Sequence, residues 1–296
     1  MKIVKLDAPV ELLQSDVSSE DQFFRLKKSN RPATGRVTLF DQNGNLERRF
    51  NIRRGLRHGL FEQFFANGDI NYWCIFANGK LDFFDETWDK YGRLTSSECW
   101  LNGDLHGTSK KYELNNLVEH SEFLHGNRHG LTEKYGLRKV TLFHGQYIDD
   151  EPHRWHVERY TNGKRKEEQC WDKGVRIGHW RSFFESGKVQ HSMHYKDGVK
   201  VGEDILYYEN GVIAGVTEFV DGMAEGVSYS YYSNGTLSDS RPFKKGVLNG
   251  TQRAFNQDQS LAFEIVWVDG VMISEVIHIQ ERQWLRQRSP GVAFKT

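Results

Sequence analysis

The sequence predicts an all-β protein: an elongated, twisted antiparallel β-meander of about ten 24-residue hairpin repeats with terminal caps. Three observations predict this fold. A glycine recurs every 24 residues, aromatic side chains recur at two fixed distances after it, and Asn-Gly or Asp-Gly turns separate short β-branched and aromatic runs. Helices are not expected, because no stretch keeps a 3.6-residue period and glycine recurs every few residues.

The 24-residue period is defined by an anchor position that is glycine in eight of ten repeats. Eight of the nine steps between anchors are 24 residues and one is 23. Residues 207–235, YYENGVIAGVTEFVDGMAEGVSYSYYSNG, show one whole period. In chain order the anchors are Gly35, Gly59, Phe83, Gly107, Gly130, Arg154, Gly178, Gly202, Gly226 and Gly250. A repeat position is numbered below by its distance from the anchor.

Two columns of aromatic residues confirm the repeat register. Nine of ten residues at position 5 are aromatic, against 13% for the whole chain, so coincidence is excluded. Position 5 holds Phe40, Phe64, Trp88, Tyr112, Tyr135, Arg159, Phe183, Tyr207, Tyr231 and Phe255. Position 17 holds Ile52, Phe76, Trp100, Tyr147, Trp171, Tyr195, Phe219, Phe243 and Trp267, with Phe123 in the shortened repeat.

Glycines at positions 9 and 20 predict two turns in each repeat. At position 9, as in Gly44 and Gly68, glycine suits the left-handed last residue of a three-residue hairpin loop. Such a loop places position 5 directly opposite the apolar position 11. Because side chains alternate along a strand, positions 5, 11 and 17 are then expected on one face of the sheet.

The ends of the chain do not repeat. Residues 1–34 are predicted to form an N-terminal cap, residues 35–273 the ten repeats, and residues 274–296 a C-terminal cap and tail. Open sheets need protected edges, so MKIVKL and SEVIHI are candidate terminal strands. The basic segment RQWLRQRS is interpreted as a solvated tail rather than a nucleic-acid contact.

Composition excludes several classes of partner. The chain has 40 basic and 40 acidic residues and no net charge, so neither nucleic acid nor an anionic membrane is expected as a partner. Three unpaired cysteines fit a reducing compartment. The first residues lack the pattern of a signal peptide, and no stretch is typical of a transmembrane helix. We therefore expect a cytoplasmic protein.

The pattern G-x-W-x-x-Y-Y-x-N-G followed by Y-x-D-G-x-x-x-G resembles the MORN repeat in its bacterial variant form. The best matches are residues 178–202 and 202–226, and the resemblance covers roughly residues 35–273. It implies an elongated, twisted sheet of hairpins, and interaction or scaffolding rather than catalysis. Bacterial proteins of this family are often antitoxin-like or immunity-like. The pattern is interrupted at Phe83, at Arg154, and within residues 112–120 and 134–145.

No residues of the chain indicate catalysis, a cofactor or a metal. Nucleotide-binding and serine-hydrolase motifs are absent from the sequence. His58, His106, His129 and His153 each precede an anchor. Adjacent repeats lie about 10 Å apart, whereas ligands must converge at about 2 Å from one ion. The histidine column therefore favours a structural role in turns.

Four aromatic residues outside the two strong columns are the candidate partner-binding residues: Tyr72, Trp73, Phe83 and Phe84. Surface aromatics are favoured at binding hot spots. The alternative interpretation is that these rings fill the space left by the glycine missing at residue 83.

These observations lead to two hypotheses. The first is a non-catalytic protein-binding repeat protein, of the antitoxin or immunity type, that binds and occludes a toxin. The second is a structural scaffold or self-associating protein, with contact to membrane lipid as a variant of it. An enzymatic function has no positive support in the sequence.

Overall fold

The computed structural model describes residues 11–13, 17–20 and 23–278, and the chain divides into two compact units, residues 1–154 and 155–296. The boundary lies inside strand β14 (Glu151–Arg159). The predictions for MKIVKL and RQWLRQRS lie outside the described residues. Residues 274–277 of SEVIHI form part of a strand, as predicted.

The first unit consists of antiparallel strands, each paired with the next along the chain from β4 onward, and β1 pairs with β4 in parallel. A separate hairpin is formed by β2 and β3. The strands are β1 (Glu11–Leu13), β2 (Val17–Glu20), β3 (Phe23–Leu26), β4 (Gly35–Phe40), β5 (Leu46–Arg53), β6 (Leu56–Phe64), β7 (Ile70–Ala77), β8 (Lys80–Trp88), β9 (Leu94–Leu101), β10 (Asp104–Glu113), β11 (Asn116–Leu124), β12 (Asn127–Tyr135) and β13 (Thr141–Ile148).

The second unit continues the same pattern of antiparallel neighbours. Its strands are β15 (Arg165–Asp172), β16 (Val175–Phe183), β17 (Val189–Lys196), β18 (Val199–Tyr207), β19 (Ile213–Val220), β20 (Met223–Tyr231), β21 (Leu237–Lys244), β22 (Val247–Leu248), β23 (Gly250–Phe255), β24 (Leu261–Val268) and β25 (Val271–Ile277). Within the described residues, the single helical element is the short 3-10 turn Leu137–Lys139 of the first unit. The predicted all-β antiparallel meander is confirmed.

The three-residue hairpin loop is also confirmed. In the first repeat the Asp41 amide donates to the Asn45 carbonyl at 2.8 Å, and the Gly44 amide donates to the Asp41 carbonyl at 3.1 Å. Gly44 has a φ of 84°, the left-handed conformation that position 9 requires. As predicted, position 5 then lies directly opposite position 11, with Phe40 paired to Leu46.

The expectation that positions 5 and 17 share a face is wrong. On β7 the side chains of Tyr72, Cys74 and Phe76 point to one face of the sheet and that of Trp73 to the other, because they alternate. Trp88, at position 5, contacts Trp73 with ring centroids 6.5 Å apart, so it lies opposite Phe76 at position 17. The physical reason is a β-bulge after the loop, where one extra residue breaks the alternation. We call the two sides the Phe76 face and the Trp73 face.

A second irregularity explains the anchor glycines. Between β5 and β6, residues 57–61 of β6 lie opposite residues 50–52, so the anchor Gly59 sits in a bulge, with a φ of 81°. This left-handed conformation favours glycine. The two non-glycine anchors adopt it as well, with φ of 78° at Phe83 and 61° at Arg154.

In each unit, one face of the sheet carries a column of stacked side chains, which we call the ring column; in the first unit this is the Phe76 face. Each position-17 ring pairs across strands with the residue two before the next anchor, as Phe76 does with Leu81. Each ring is also contacted from its other side, by the residue that lies two positions before the anchor of the ring's own repeat. Arg57 lies 5.4 Å over Phe76, and Lys200 lies 4.3 Å over Phe219. These half-buried rings are therefore spaced by aliphatic or cationic side chains.

The N-terminal region covers the Phe76 face of the first repeats. The Phe24 ring lies 5.4 Å from the Phe50 ring, and the Phe24 amide donates to the Gly55 carbonyl at 2.7 Å. Phe23 approaches Gly55 so closely that a Cβ there would meet its ring at 2.4 Å. The buried core of the first unit comprises Leu12, Phe24, Ala33, Val37, Phe50, Ile52, Phe61 and Cys74.

Candidate functional site

The four aromatic residues singled out by the sequence do not form one cluster. Trp73 and Phe84 contact each other on the Trp73 face, with ring centroids 5.1 Å apart. Tyr72 lies on the Phe76 face, where its ring contacts that of Phe61. Phe83 pairs with Trp100, a member of the ring column, and therefore lies on the Phe76 face as well. The candidate surface is thus reduced to the part on the Trp73 face.

This part is an exposed apolar cluster, the Trp73 patch, formed by Leu60, Trp73, Phe84 and Trp88. Phe84 is 39% exposed and Leu60 is 40% exposed, whereas Trp73 and Trp88 are half-buried. Leu60 pairs across strands with Ile75, which lies on β7 two residues from Trp73 and on the same face. Strands β6, β7 and β8 therefore each contribute apolar side chains to the Trp73 face.

Two carboxylates border the Trp73 patch. Glu86 accepts a hydrogen bond from the Trp73 indole nitrogen at 3.1 Å, which fixes the orientation of that ring. Glu62 is held by the Arg49 guanidinium, with the closest N–O distance 2.7 Å. The patch thus has apolar rings at its centre and charged groups at its rim.

Tyr72 instead belongs to the interior of the Phe76 face. Its hydroxyl donates to Asp85 Oδ2 at 3.0 Å. Burial, together with the nearby Cys74 and Asp85, raises the pKa of the Tyr72 hydroxyl. Burial also raises the pKa of the Cys74 thiol to about 11. Both groups are therefore protonated at neutral pH and act as structural elements of the core.

Phe83 does not fill the space of the missing anchor glycine. Its side chain is 67% exposed, although its backbone keeps the left-handed conformation of that position. A bulky L-residue adopts this conformation at a cost.

Two residues of the Trp73 patch were missed by the reasoning from sequence. Trp88 was assigned to the position-5 column and hence to the buried face, and Leu60 was not noticed. The signal that could have found both is the bulge that follows the loop of each repeat, because it puts position 17 on one face and leaves position 5 on the face that holds positions 1, 3 and 14.

A shallow cavity of about 430 Å³ lies in the second unit and is lined by Trp155, Val157, Arg165, Glu168, His179 and Arg181. The buried Glu168 accepts hydrogen bonds from Arg165 at 2.9 Å and from Arg181 at 3.5 Å. Burial and the neighbouring His194 and Arg181 lower the pKa of His179, so this ring is neutral at pH 7. Both carboxylate oxygens of Glu168 thus already have a guanidinium partner.

Two of the four histidines that precede the anchors contact the turn at position 19 of their own repeat. The His58 ring lies 3.5 Å from the Asn78 amide nitrogen, and His129 lies 3.2 Å from Asp149. In the described ranges, no three His, Cys, Asp or Glu side chains are grouped so that they could hold a metal ion. The same part of the chain contains no helix long and apolar enough to cross a membrane.

Comparison with known proteins finds a family model that matches one period of the chain. The model for the MORN repeat variant matches residues 176–197. This match, within the register that runs through the other periods, supports a MORN-repeat protein and indicates a binding or scaffold role. No curated protein matches the chain.

Among solved structures, the chain has weak similarity to the crystal structures of TcdB2-TccC3 and of TcdB2-TccC3-Cdc42. The first is 9% identical with a TM-score of 0.19 and covers 84% of this chain and 16% of that chain. The second is 8% identical with a TM-score of 0.17 and covers 79% and 15% respectively. The chain thus spans about one sixth of their length, and likeness at this level says nothing about its function.

Proposed function

We propose that the chain is a non-catalytic protein-binding repeat protein and that the Trp73 patch is its binding surface. The observation that carries the proposal is the exposure of Phe84 and Leu60 beside two tryptophans whose rings are held in place. Aromatic anchors that are already ordered lose little side-chain entropy on binding. Phe24 and Ala33 of the N-terminal region pack on the Phe76 face of the first repeats, the face opposite the Trp73 patch.

The more specific proposal is that the partner is a toxin, which the chain occludes as an antitoxin or immunity protein. This part depends on the resemblance to bacterial MORN-repeat proteins described above. An apolar surface on rigid strands, bordered by carboxylates, suits a protein partner with an apolar anchor and a basic rim.

The test is to purify the tagged full-length chain from its native cell and measure the affinity of the protein that co-purifies. Phe84→Ala should weaken binding about thirtyfold, which corresponds to about 2 kcal/mol, and should change the free energy of unfolding little because Phe84 is exposed. Tyr91→Ala is the matched control, since Tyr91 is a 69% exposed aromatic residue of the same unit outside the patch.

Equal affinities of the Phe84→Ala and wild-type chains would show that the Trp73 patch is not the binding surface. Recovery of no partner, together with long oligomers, would favour the scaffold. A hydrolytic or transferase activity that survives purification to homogeneity would contradict the non-catalytic assignment. A small stoichiometric toxin that Phe84→Ala releases would support the immunity proposal.

A further inference from the structure

The ring column of the second unit, as far as its residues are described, ends at Met272. Trp267, the last ring of the column, pairs across strands with Met272 of β25. In a preceding repeat the equivalent residue contacts a ring on the next strand, as the Lys200 ammonium lies 4.3 Å from the centre of the Phe219 ring. Met272 is 53% exposed, and within the described residues no ring lies on its outer side. Among the described residues, the outer side of Met272 therefore lacks the aromatic neighbour that the equivalent residues of preceding repeats have.

The backbone of β25 is open at the same place. In the described part of the chain, β25 pairs with β24 alone. The His278 amide donates inward to the Ala262 carbonyl at 2.8 Å. Because inward and outward groups alternate along the regular part of an antiparallel strand, Glu275 and Ile277 direct their amide and carbonyl groups outward.

The side chains of β25 are mostly apolar and exposed, which is typical of an interface and not of a protected sheet edge. Five apolar residues of this seven-residue strand are between 51% and 65% exposed: Val271, Met272, Ile273, Val276 and Ile277. A long apolar edge with free backbone groups is the usual template for the addition of another strand.

We propose that the outer edge of β25 binds an extended strand of another polypeptide in antiparallel register, and that Met272 receives an aromatic side chain of that strand. The site is separate from the Trp73 patch and does not depend on the function proposed for it. A thioether packs favourably against an aromatic ring, and the main-chain ladder supplies the rest of the binding.

The structure of the repeats identifies the chemistry of the partner. The strands of the second unit that carry an anchor each accept a strand with a ring opposite the anchor, as Gly202 faces Phe219 and Gly226 faces Phe243. A second copy of this chain fits less well. Its described ring-bearing strands are already paired, and β25 itself contains no aromatic residue. The partner strand must therefore bring its own ring.

The test uses the full-length chain and a labelled synthetic peptide, VIAGVTEFVD, which is residues 212–221 and includes the strand that β18 accepts. The peptide should bind in saturable 1:1 fashion, as measured by fluorescence anisotropy. The peptide with Phe219→Ala should bind at least about tenfold more weakly, because it lacks the ring for Met272.

Protein variants locate the site. Met272→Asp should weaken peptide binding about tenfold or more, because a charge replaces the ring contact. Met272→Arg should retain binding, since Arg57 and Lys200 stack on rings from the same repeat position. Met223→Asp is the matched control and should bind like wild type. Met223 is 50% exposed in the same unit but lies three residues before its anchor, outside the ring column.

Three results would overturn the proposal. The first is no binding of the peptide to the full-length chain, as expected if residues 279–296 of the same chain occupy the edge. The second is equal binding of the Phe219→Ala peptide or equal binding by Met272→Asp. The third is sedimentation of the wild-type chain as an oligomer that Met272→Asp dissociates, which would identify a second copy as the occupant.

Discussion

The two units link neighbouring repeats through the same pair of positions but with opposite electrostatics. Position 13 of one repeat bonds position 2 of the next in both units. In the first unit the Tyr72 hydroxyl donates to Asp85 at 3.0 Å. In the second unit the His191 ring donates to Asp204, whose other oxygen accepts from Lys200 at 2.5 Å. The backbone register thus determines which two positions are in contact, whereas the residue types at those positions differ between the units.

Consequently the pKa values of the two aspartates are shifted in opposite directions. Burial and the adjacent Glu98 raise the pKa of Asp85 above 3.8. Burial would also raise the pKa of Asp204, but the hydrogen bonds and charges of His191 and Lys200 outweigh it and hold that pKa below 3.8. Ionised Asp85 costs stability, whereas ionised Asp204 contributes it.

The units also differ in the source of their cohesion. The first has a buried aromatic core beneath the N-terminal strands. In the second, tyrosines at position 6 donate to the carbonyl of position 5 in the next repeat, at 2.7 Å from Tyr160 to Phe183 and 2.8 Å from Tyr232 to Phe255. Position 6 of the first unit instead holds residues such as Asp41, which accepts only from its own loop. Burial dominates in one unit and hydrogen bonding across repeats in the other.

The largest effect expected is that of removing a core ring from the first unit. Phe50→Ala should lower the free energy of unfolding in urea by about 3–5 kcal/mol, because Phe50 is 4% exposed and contacts two other rings. Tyr195→Ala, which removes a half-buried ring of the second unit, should cost less. An equal loss from both variants would mean that the ring column stabilises as strongly as the capped core.

The next effect is a pH dependence of opposite sign in the two units. Asp204→Asn should cost about 2 kcal/mol at pH 7, because it weakens two charge-assisted hydrogen bonds. The folded-state pKa of Asp204 is lowered, so this cost is full above pH 3.8 and disappears as the pH falls through the folded pKa.

Asp85→Asn should behave in the reverse way. The folded-state pKa of Asp85 is raised, so the wild-type aspartate contributes stability below pH 3.8 and loses it as the pH rises through the folded pKa. The asparagine variant should therefore gain stability relative to wild type on the alkaline side of this window. Urea unfolding of both variants from pH 3 to 7 checks the signs, and curves that move in the same direction would contradict the comparison.

The fold could be predicted from the sequence because its main signals are local. The anchor glycines mark bulges, and the glycines at position 9 mark left-handed loop residues, so repeat length, loop type and the pairing of positions 5 and 11 all follow from spacing. The faces could not be predicted from alternation alone. The β-bulge after the loop of each repeat shifts the alternation, and Trp88 therefore lies in the Trp73 patch rather than in the expected core.

The contacts that join neighbouring repeats could not be predicted either. The pairing of Tyr72 with Asp85, 13 residues apart, depends on which side chains become neighbours across strands once the bulges are placed. The second tyrosine of the Tyr-Tyr-x-Asn-Gly motif has no evident role in its own repeat. Its role appears only in the structure, where Tyr208 donates to the carbonyl of Tyr231.

The smallest effect tests this hydrogen-bonded contact between repeats of the second unit. Tyr232→Phe removes one hydroxyl and leaves the Phe255 carbonyl without that donor, so it should lower the free energy of unfolding by about 1 kcal/mol. Tyr231→Phe is the matched control on the neighbouring residue, since its hydroxyl makes no hydrogen bond in the described part of the structure. Hydrogen exchange of the amides in β23 and β24 gives a second readout, because loss of the contact should increase local opening of the last repeat before global stability changes much. If the Tyr232 variant behaves like the Tyr231 control in both measurements, the position-6 hydroxyls do not contribute to cohesion, and the difference between the two units reduces to the buried core alone.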